Sequence, residues 1–567
     1  MRPRLSLTCP AVLIGLLAGG LATALVGPAA AADTGVEPWL VHSSTVRLEP
    51  GVQILRDLEP LPGSSDLVAL SWLYEAPASS PLVRLDATGR TVRWAATGEV
   101  AAIAGHNTRA LAVTRDRIVM VGNAPTDQLD PTPGAYAAKR DPDAQDAAVF
   151  VAEVDPADGS LRWLSTLDGS GADFAKDIAI DADGNVWVVG DTQSADFPST
   201  TGAFVRNQSW DRFVSVLSAD GSTLEASRQI VGSDGAFALA GHVAALPGGG
   251  VVVSSTLTEP PAEGVRTSQG REGGRGLTVM RMTLDGATPR ITASRTLRTG
   301  GDHEDTALAV GPDGTIAVAG QTRHDGLLTI RGSQQPLPSW HLAATVTVMK
   351  PDLGEVVFST YLGGAAASEQ RVNGLAVDAW GAVWAAGQTS STHFPVVEPL
   401  RTTALYDEAF VVRYARTGYR TRSTYLGGDD GDAASALAFG ARGRPVVAGT
   451  TTSPDFPGAG GAGTPEGDYG DVFVTALEMN APMGPIRGPR RTSDRTPTYD
   501  LSTQLAVARA QCRVDSRRWR WCNLRRPTTT VFTTPRLTPG LHTISARLLD
   551  RPGHAGPAKT IRVRITR

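Results

Sequence analysis

Cysteine is nearly absent from this chain: three in 567 residues, at positions 9, 512 and 522. Two late cysteines cannot build a zinc site without two further ligands, and only His542 and His554 lie near them in sequence. Aromatic residues amount to 6%, and no window keeps helical apolar spacing for more than a turn or two, which argues against a helical core. After residue 26 no apolar run is long enough to cross a bilayer. Catalytic signatures are missing too. There is no H-E-x-x-H and no G-x-S-x-G, and the nine histidines are scattered without metal-ligand spacing. "GAGGAG" (458–463) formally matches G-x-G-x-x-G, but it follows a Phe-Pro loop and opens no helix, so it is not a dinucleotide fingerprint.

What is present is Gly (62) and Pro (38), with many Val, Thr and Ala, a composition suited to short strands and turns. The first 32 residues read as a secretory signal peptide: Arg2 and Arg4, an apolar stretch over 11–26, then an Ala run with an A-x-A pattern near Ala32. Lipoprotein processing is the rival, although Cys9 precedes the apolar stretch. Export to the extracellular space without a membrane anchor is therefore expected. Charge is unevenly divided. Residues 481–567 hold 18 Lys+Arg against 4 Asp+Glu, whereas residues 33–480 hold 33 against 53. Balances of +14 and −20 predict two separately built domains.

The longer part repeats itself. "GDTQSADFP" (190–198), "GQTSSTHFP" (387–395) and "GTTTSPDFP" (449–457) share one pattern. Upstream of each lies an apolar–turn–apolar segment, clearest in "DIAIDADGNVWVVG" (177–190) and found seven times between residues 58 and 449. Each reads as a β-hairpin. A third strand recurs seven times ("RFVSVLSADG", "AFVVRYARTG"), and a fourth follows it in "STYLGG"-like phrases. Four strands in each of seven units is the count expected of a seven-bladed propeller. The last unit stops at its third strand, "VFVTALEMN", and "HSSTVRL" (42–48) is expected to complete it and close the ring.

The phrases "STYLGG", "DIAIDADGNVWVVG" and "GDTQSADFP" resemble the SBBP family of bacterial β-propeller repeats over roughly 33–480. The resemblance implies the propeller fold and an extracytoplasmic setting, and no settled activity. The expected fold class is all-β: a seven-bladed propeller, then a small immunoglobulin-like sandwich. For the latter, C-R-V-D-x-x-x-W-x-x-C, P-G-L-H-T and a closing strand resemble bacterial immunoglobulin-like modules over 481–567. The pair Cys512 and Cys522, ten positions apart in an exported chain, reads as a disulfide.

The recurring nonapeptide reads as a structural staple, its glycines (Gly190, Gly387, Gly449) letting the chain leave the sheet and its Phe-Pro anchoring a long connection; ligand contact is the alternative. Carboxylates on blade-to-blade connections, Asp168, Asp173, Asp302, Glu304, Asp305, Asp429, Asp430 and Asp432, are expected to crowd one end of the channel. They would either focus a negative field for a cationic ligand or form a solvated rim. Asp181, Asp183 and Asn185 have calcium-loop spacing that a tight turn explains equally well, and no other cofactor is expected. Arg517, Arg518, Trp519, Arg520 and Trp521 suit an anionic polymer, or Arg stems covering Trp faces. Taken together these features predict a monomeric, secreted, non-enzymatic binding or scaffold protein, with no nucleic-acid partner. Its unknown ligand would be an anionic cell-wall polymer or a protein, unless the basic module docks on the acidic domain. The alternative is a hydrolase or lyase using a metal or carboxylates such as Asp302, Glu304 and Asp305.

Overall fold

The computed structural model describes residues 40–46, 53–73, 81–138, 147–202, 210–230, 241–257, 263–331, 342–364, 369–397, 399–440, 443–457, 471–477, 486–502, 509–526, 529–549 and 558–566. The expected signal segment 1–32 and "GAGGAG" lie outside them. The described chain is almost wholly antiparallel β-sheet, with one eight-residue helix at Gly98–Gly105.

Seven sheets occupy residues 40–477. Their first strands are Gln53–Pro60, Asn107–Val113, Asp173–Ile180, Gly241–Ala245, His303–Val310, Gln370–Val377 and Asp432–Phe439. Each first strand packs beside the first strand of the next sheet, and Asp432–Phe439 returns to Gln53–Pro60. Six sheets have four strands in up-and-down order. The fourth adds an outer strand, Val265–Arg271, parallel to Thr288–Thr299, which the repeat pattern does not anticipate. The strand expected at 42–48 runs over Leu40–Val46 and pairs antiparallel with Asp471–Leu477, completing the seventh sheet.

The core is divided into layers, one between each pair of neighbouring sheets. Leu70, Met120 and Phe150 fill the layer between the first two. Leu55 and Leu58 meet Ala436 and Val446 where the seventh sheet returns to the first. Strands buried on both faces explain why the repeats read as nearly continuous apolar runs, such as Val186–Val189, instead of strict alternation.

Two further sheets lie in residues 486–565 around a separate core of Tyr499, Leu501, Ile544 and Val563. Cys512 and Cys522 are both buried there and joined in a disulfide. Among the described residues no helix is long and apolar enough to cross a membrane.

Candidate functional site: braced loops and an axial charge cluster

The repeated nonapeptide has a physical account in the third, sixth and seventh sheets. Its Phe stacks against a Phe on the third strand of the same sheet: Phe197 on Phe213 at 4.4 Å, Phe394 near Phe410 at 4.7 Å and Phe456 on Phe473 at 4.4 Å. The Pro carbonyl accepts a hydrogen bond from a fourth-strand serine, at 2.6 Å for both Ser227 to Pro198 and Ser423 to Pro395. The "STYLGG" tyrosine joins in, since Tyr425 Oη donates to the Ser391 carbonyl and accepts from the Phe394 amide. The glycines differ from the expectation. Gly190, Gly387 and Gly449 sit inside the second strand, not where the chain departs. A Cβ at each would run into the carbonyl of Phe174, Arg371 or Ala433, just before a bulge in the first strand. Close approach of two backbones, not a turn, requires glycine here.

The eight connection carboxylates separate into two groups by burial. Asp168, Asp173, Asp305 and Asp432 are buried. Asp173 accepts from Ser194 Oγ at 3.0 Å and the Gly169 amide at 2.8 Å. Asp432 repeats the device with Ser453 Oγ and the Gly428 amide, both at 2.8 Å. Burial pushes the Asp173 carboxyl up to about 7 against these hydrogen bonds, and raises Asp432 as well. Asp302, Asp429 and Asp430 are exposed and Glu304 is half-buried. Asp302 pairs with Arg275 and Asp429 with Arg401, each at 3.0 Å, and Asp430 accepts from the Gly431 amide. Backbone–carboxylate and serine–carboxylate contacts thus brace the loops, with Asp196 and Asp455 of the nonapeptide accepting from the Ser170 and Asp429 amides.

Asp181 is equally engaged. Its oxygens accept from the amides of Asp183 and Asn185 and from Trp187 Nε1 at 2.7 Å, making a tight turn over Gly184 at φ 88°. Asp378 does the same with the amides of Trp380 and Ala382. Among the described residues no group of three or more His, Cys, Asp or Glu is arranged to hold a metal ion.

A cluster that the sequence reading overlooked lies where the first strands meet. Asp57 follows the bulge of the first sheet and accepts from its own neighbour Leu58 and from Leu111 of the next sheet, both at 2.8 Å. Asp177 copies this in the third sheet, accepting from Ile178 at 2.8 Å and from Val243 of the fourth at 2.9 Å. His242 stands 3.4 Å from Asp177. Burial would lower the imidazole, yet the carboxylates of Asp305 and Asp177 outweigh it and raise it to about 9. Burial raises Asp57 to about 7, helped by the charge of Asp177, and lifts Glu59 well above the carboxylate range. Asp305 rises to about 6, and its Oδ2 accepts from Ser254 at 2.6 Å. Of these groups, the Asp57 and Asp305 carboxyls are the ones brought close to neutrality. A readable signal existed: "RDL" (56–58) and "KDI" (176–178) occupy the same repeat position, where the fourth unit carries His242 and the remaining four carry Ala or Gly.

In the C-terminal sheets Arg517, Arg518 and Arg520 are exposed. Trp519 is half-buried, with the Arg513 and Arg547 guanidiniums 4.5 and 4.2 Å from its ring centre, and Trp521 is 57% exposed.

Residues 164–198 match the SBBP family, a β-propeller repeat. The chain carries a β-propeller repeat. The matched segment holds the end of the fourth strand of the second sheet, the first hairpin of the third and one whole nonapeptide. No curated protein matches the chain. Among solved structures, a protein of unknown function from Dyadobacter fermentans is 12% identical, covering 77% of this chain and 98% of its own, with a TM-score of 0.37. A gluconolactonase from Xanthomonas campestris is 14% identical over 80% and 98%, with a TM-score of 0.32. A puromycin-hydrolyzing peptidase from Mycobacterium tuberculosis is 15% identical over 79% and 58%, with a TM-score of 0.36. Superpositions this loose say nothing of activity, and the β-propeller repeat of this chain is compatible with enzymatic and non-enzymatic roles alike.

Proposed function

We propose that this chain is a secreted, monomeric binding or scaffold protein: a seven-bladed propeller closed by its N-terminal strand, carrying an immunoglobulin-like sandwich that adheres to anionic cell-wall or matrix material. The supporting observation is the use made of the repeated polar residues. Asp173, Asp432, Ser194 and Ser453 hold loops in place, as expected of a rigid surface for presentation. The charge split supports the adhesive part, because a +14 module beside a −20 domain favours an anionic partner of its own. Retention of the mature chain on isolated anionic cell-wall polymer, lost on raising the salt, is the expected result; elution with the void at low salt would end the adhesive reading.

A second reading is favoured by the axial cluster alone. Asp57 and Asp305, raised to about 7 and about 6, lie close to His242, raised to about 9 beside Asp177, a set of proton donors and acceptors that suits a hydrolase or lyase. It requires a turnover that Asp177→Asn and His242→Gln abolish while the fold persists.

A further inference from the structure

The outer face of the second C-terminal sheet is rich in arginine. In this sheet Arg509–Val514 pairs with Gly540–Leu549, which pairs with Lys559–Ile565, flanked by Arg491–Thr492 on one side and Arg520–Trp521 on the other. Alternation sends Cys512, Val514, Ile544, Ala546, Ile561 and Val563 into the core. The opposite face then receives Arg513, Arg547, Arg562, Arg564 and Arg491, because Arg564 lies opposite both Leu541 and Arg491. None of these five guanidiniums is paired with a carboxylate among the described residues. Asp515, on the turn that follows Arg509–Val514, is already held by His542 at 2.9 Å and by the Thr543 amide at 2.8 Å. Trp519 lies across the face under Arg513 and Arg547, and Arg547 is further fixed by Gln511 Oε1 at 2.7 Å. Trp521 shares the face opposite Gln511.

We propose that this face is the contact surface for a linear anionic glycan, an assignment that deepens the adhesive reading above and rests on it. Neighbouring positions along a strand recur about every 7 Å on one face, and strands lie about 5 Å apart. Such a grid of guanidiniums meets a chain of regularly spaced carboxylates or phosphates with bidentate hydrogen bonds. Exposed indole adds a flat apolar surface for a sugar ring. The arginines already stacked on Trp519 are pre-ordered, which lowers the entropy lost on binding. The turn residues Arg517 and Arg518 lie outside this grid, so of the "RRWRW" segment Trp519 and Trp521 are the residues that belong to the face.

The test uses the full chain on immobilised polygalacturonate across a salt series, with neutral dextran as control. Wild type should be retained on the anionic glycan alone. Arg562→Gln/Arg564→Gln should weaken retention about tenfold at moderate salt and reduce the log–log salt slope by about 2, through fewer released counterions. Trp521→Ala should weaken binding with the slope unchanged, and Arg517→Gln/Arg518→Gln should behave as wild type. All these positions are exposed, and an unchanged melting curve verifies each fold. Failure of wild type to bind would sink the adhesive reading and this assignment together. Wild-type retention that both sheet-face variants preserve would overturn only the assignment. A low-salt dimer that Arg562→Gln/Arg564→Gln dissolves would overturn it in favour of docking on the acidic domain of a second copy.

Discussion

Phe456 shows how much one residue of the repeat carries. Its ring is 2% exposed, stacked on Phe473 and packed in the layer between the sixth and seventh sheets. Phe456→Ala should therefore cost about 3–5 kcal/mol, measured by denaturant unfolding. Gly449→Ala should be destabilising as well, since the new methyl meets the Ala433 carbonyl and backbone cannot yield as a side chain does. Protonation provides a test at the same scale. The Asp173 carboxyl is raised to about 7 from 3.8, so the native state holds a proton that the unfolded chain releases. Its contribution is full below about pH 4 and is lost as pH rises to 7. His242, raised to about 9 from 6.5, contributes fully below 6.5 and loses that contribution as pH rises through 9. Stability should thus fall from pH 7 to 9.5, and His242→Gln should flatten that decline in thermal melts; an equally steep fall in the variant would refute the assignment.

At the scale of elements, the strand Leu40–Val46 matters most. It covers the edge Asp471–Leu477, and Ser43 Oγ meets Thr475 Oγ1 at 2.7 Å in the buried interior. Removing everything before residue 47 would leave that edge unpaired, an invitation to pairing between copies. The expected outcome is a lower melting temperature together with association visible by light scattering. An unaffected, monomeric truncation would show that the strand is dispensable. Strands and hairpins were legible beforehand because short apolar runs and Gly- or Asp-bearing turns are local signals. The bulges were not. An extra residue in a first strand leaves no mark in composition, yet it explains both the strand glycines and the direction of Asp57 and Asp177. The parallel strand Val265–Arg271 was hidden for a similar reason: a polar, Gly-rich insertion pairs only because an edge is available beside it.

At the scale of the molecule, two sets of cores divide the chain, layers between sheets over residues 55–477 and a separate cluster over 486–565. Calorimetry should resolve two transitions, and reducing Cys512–Cys522 should lower one alone, by about 2–3 kcal/mol for so short a loop. A single transition that moves as a whole on reduction would contradict separate folding units.

The linear sequence determined the number of repeats, the hairpin within each, the split in charge and the cysteine pair, since all of these are written in neighbouring residues. Which carboxylates are engaged was decided only by tertiary structure. Asp173 and Asp57 look alike as letters; one is gripped by a serine in the loop just past the adjoining strand, the other joins two sheets through an amide 54 residues away. Burial and distant partners set their protonation, and neither can be read until the sheets have come together.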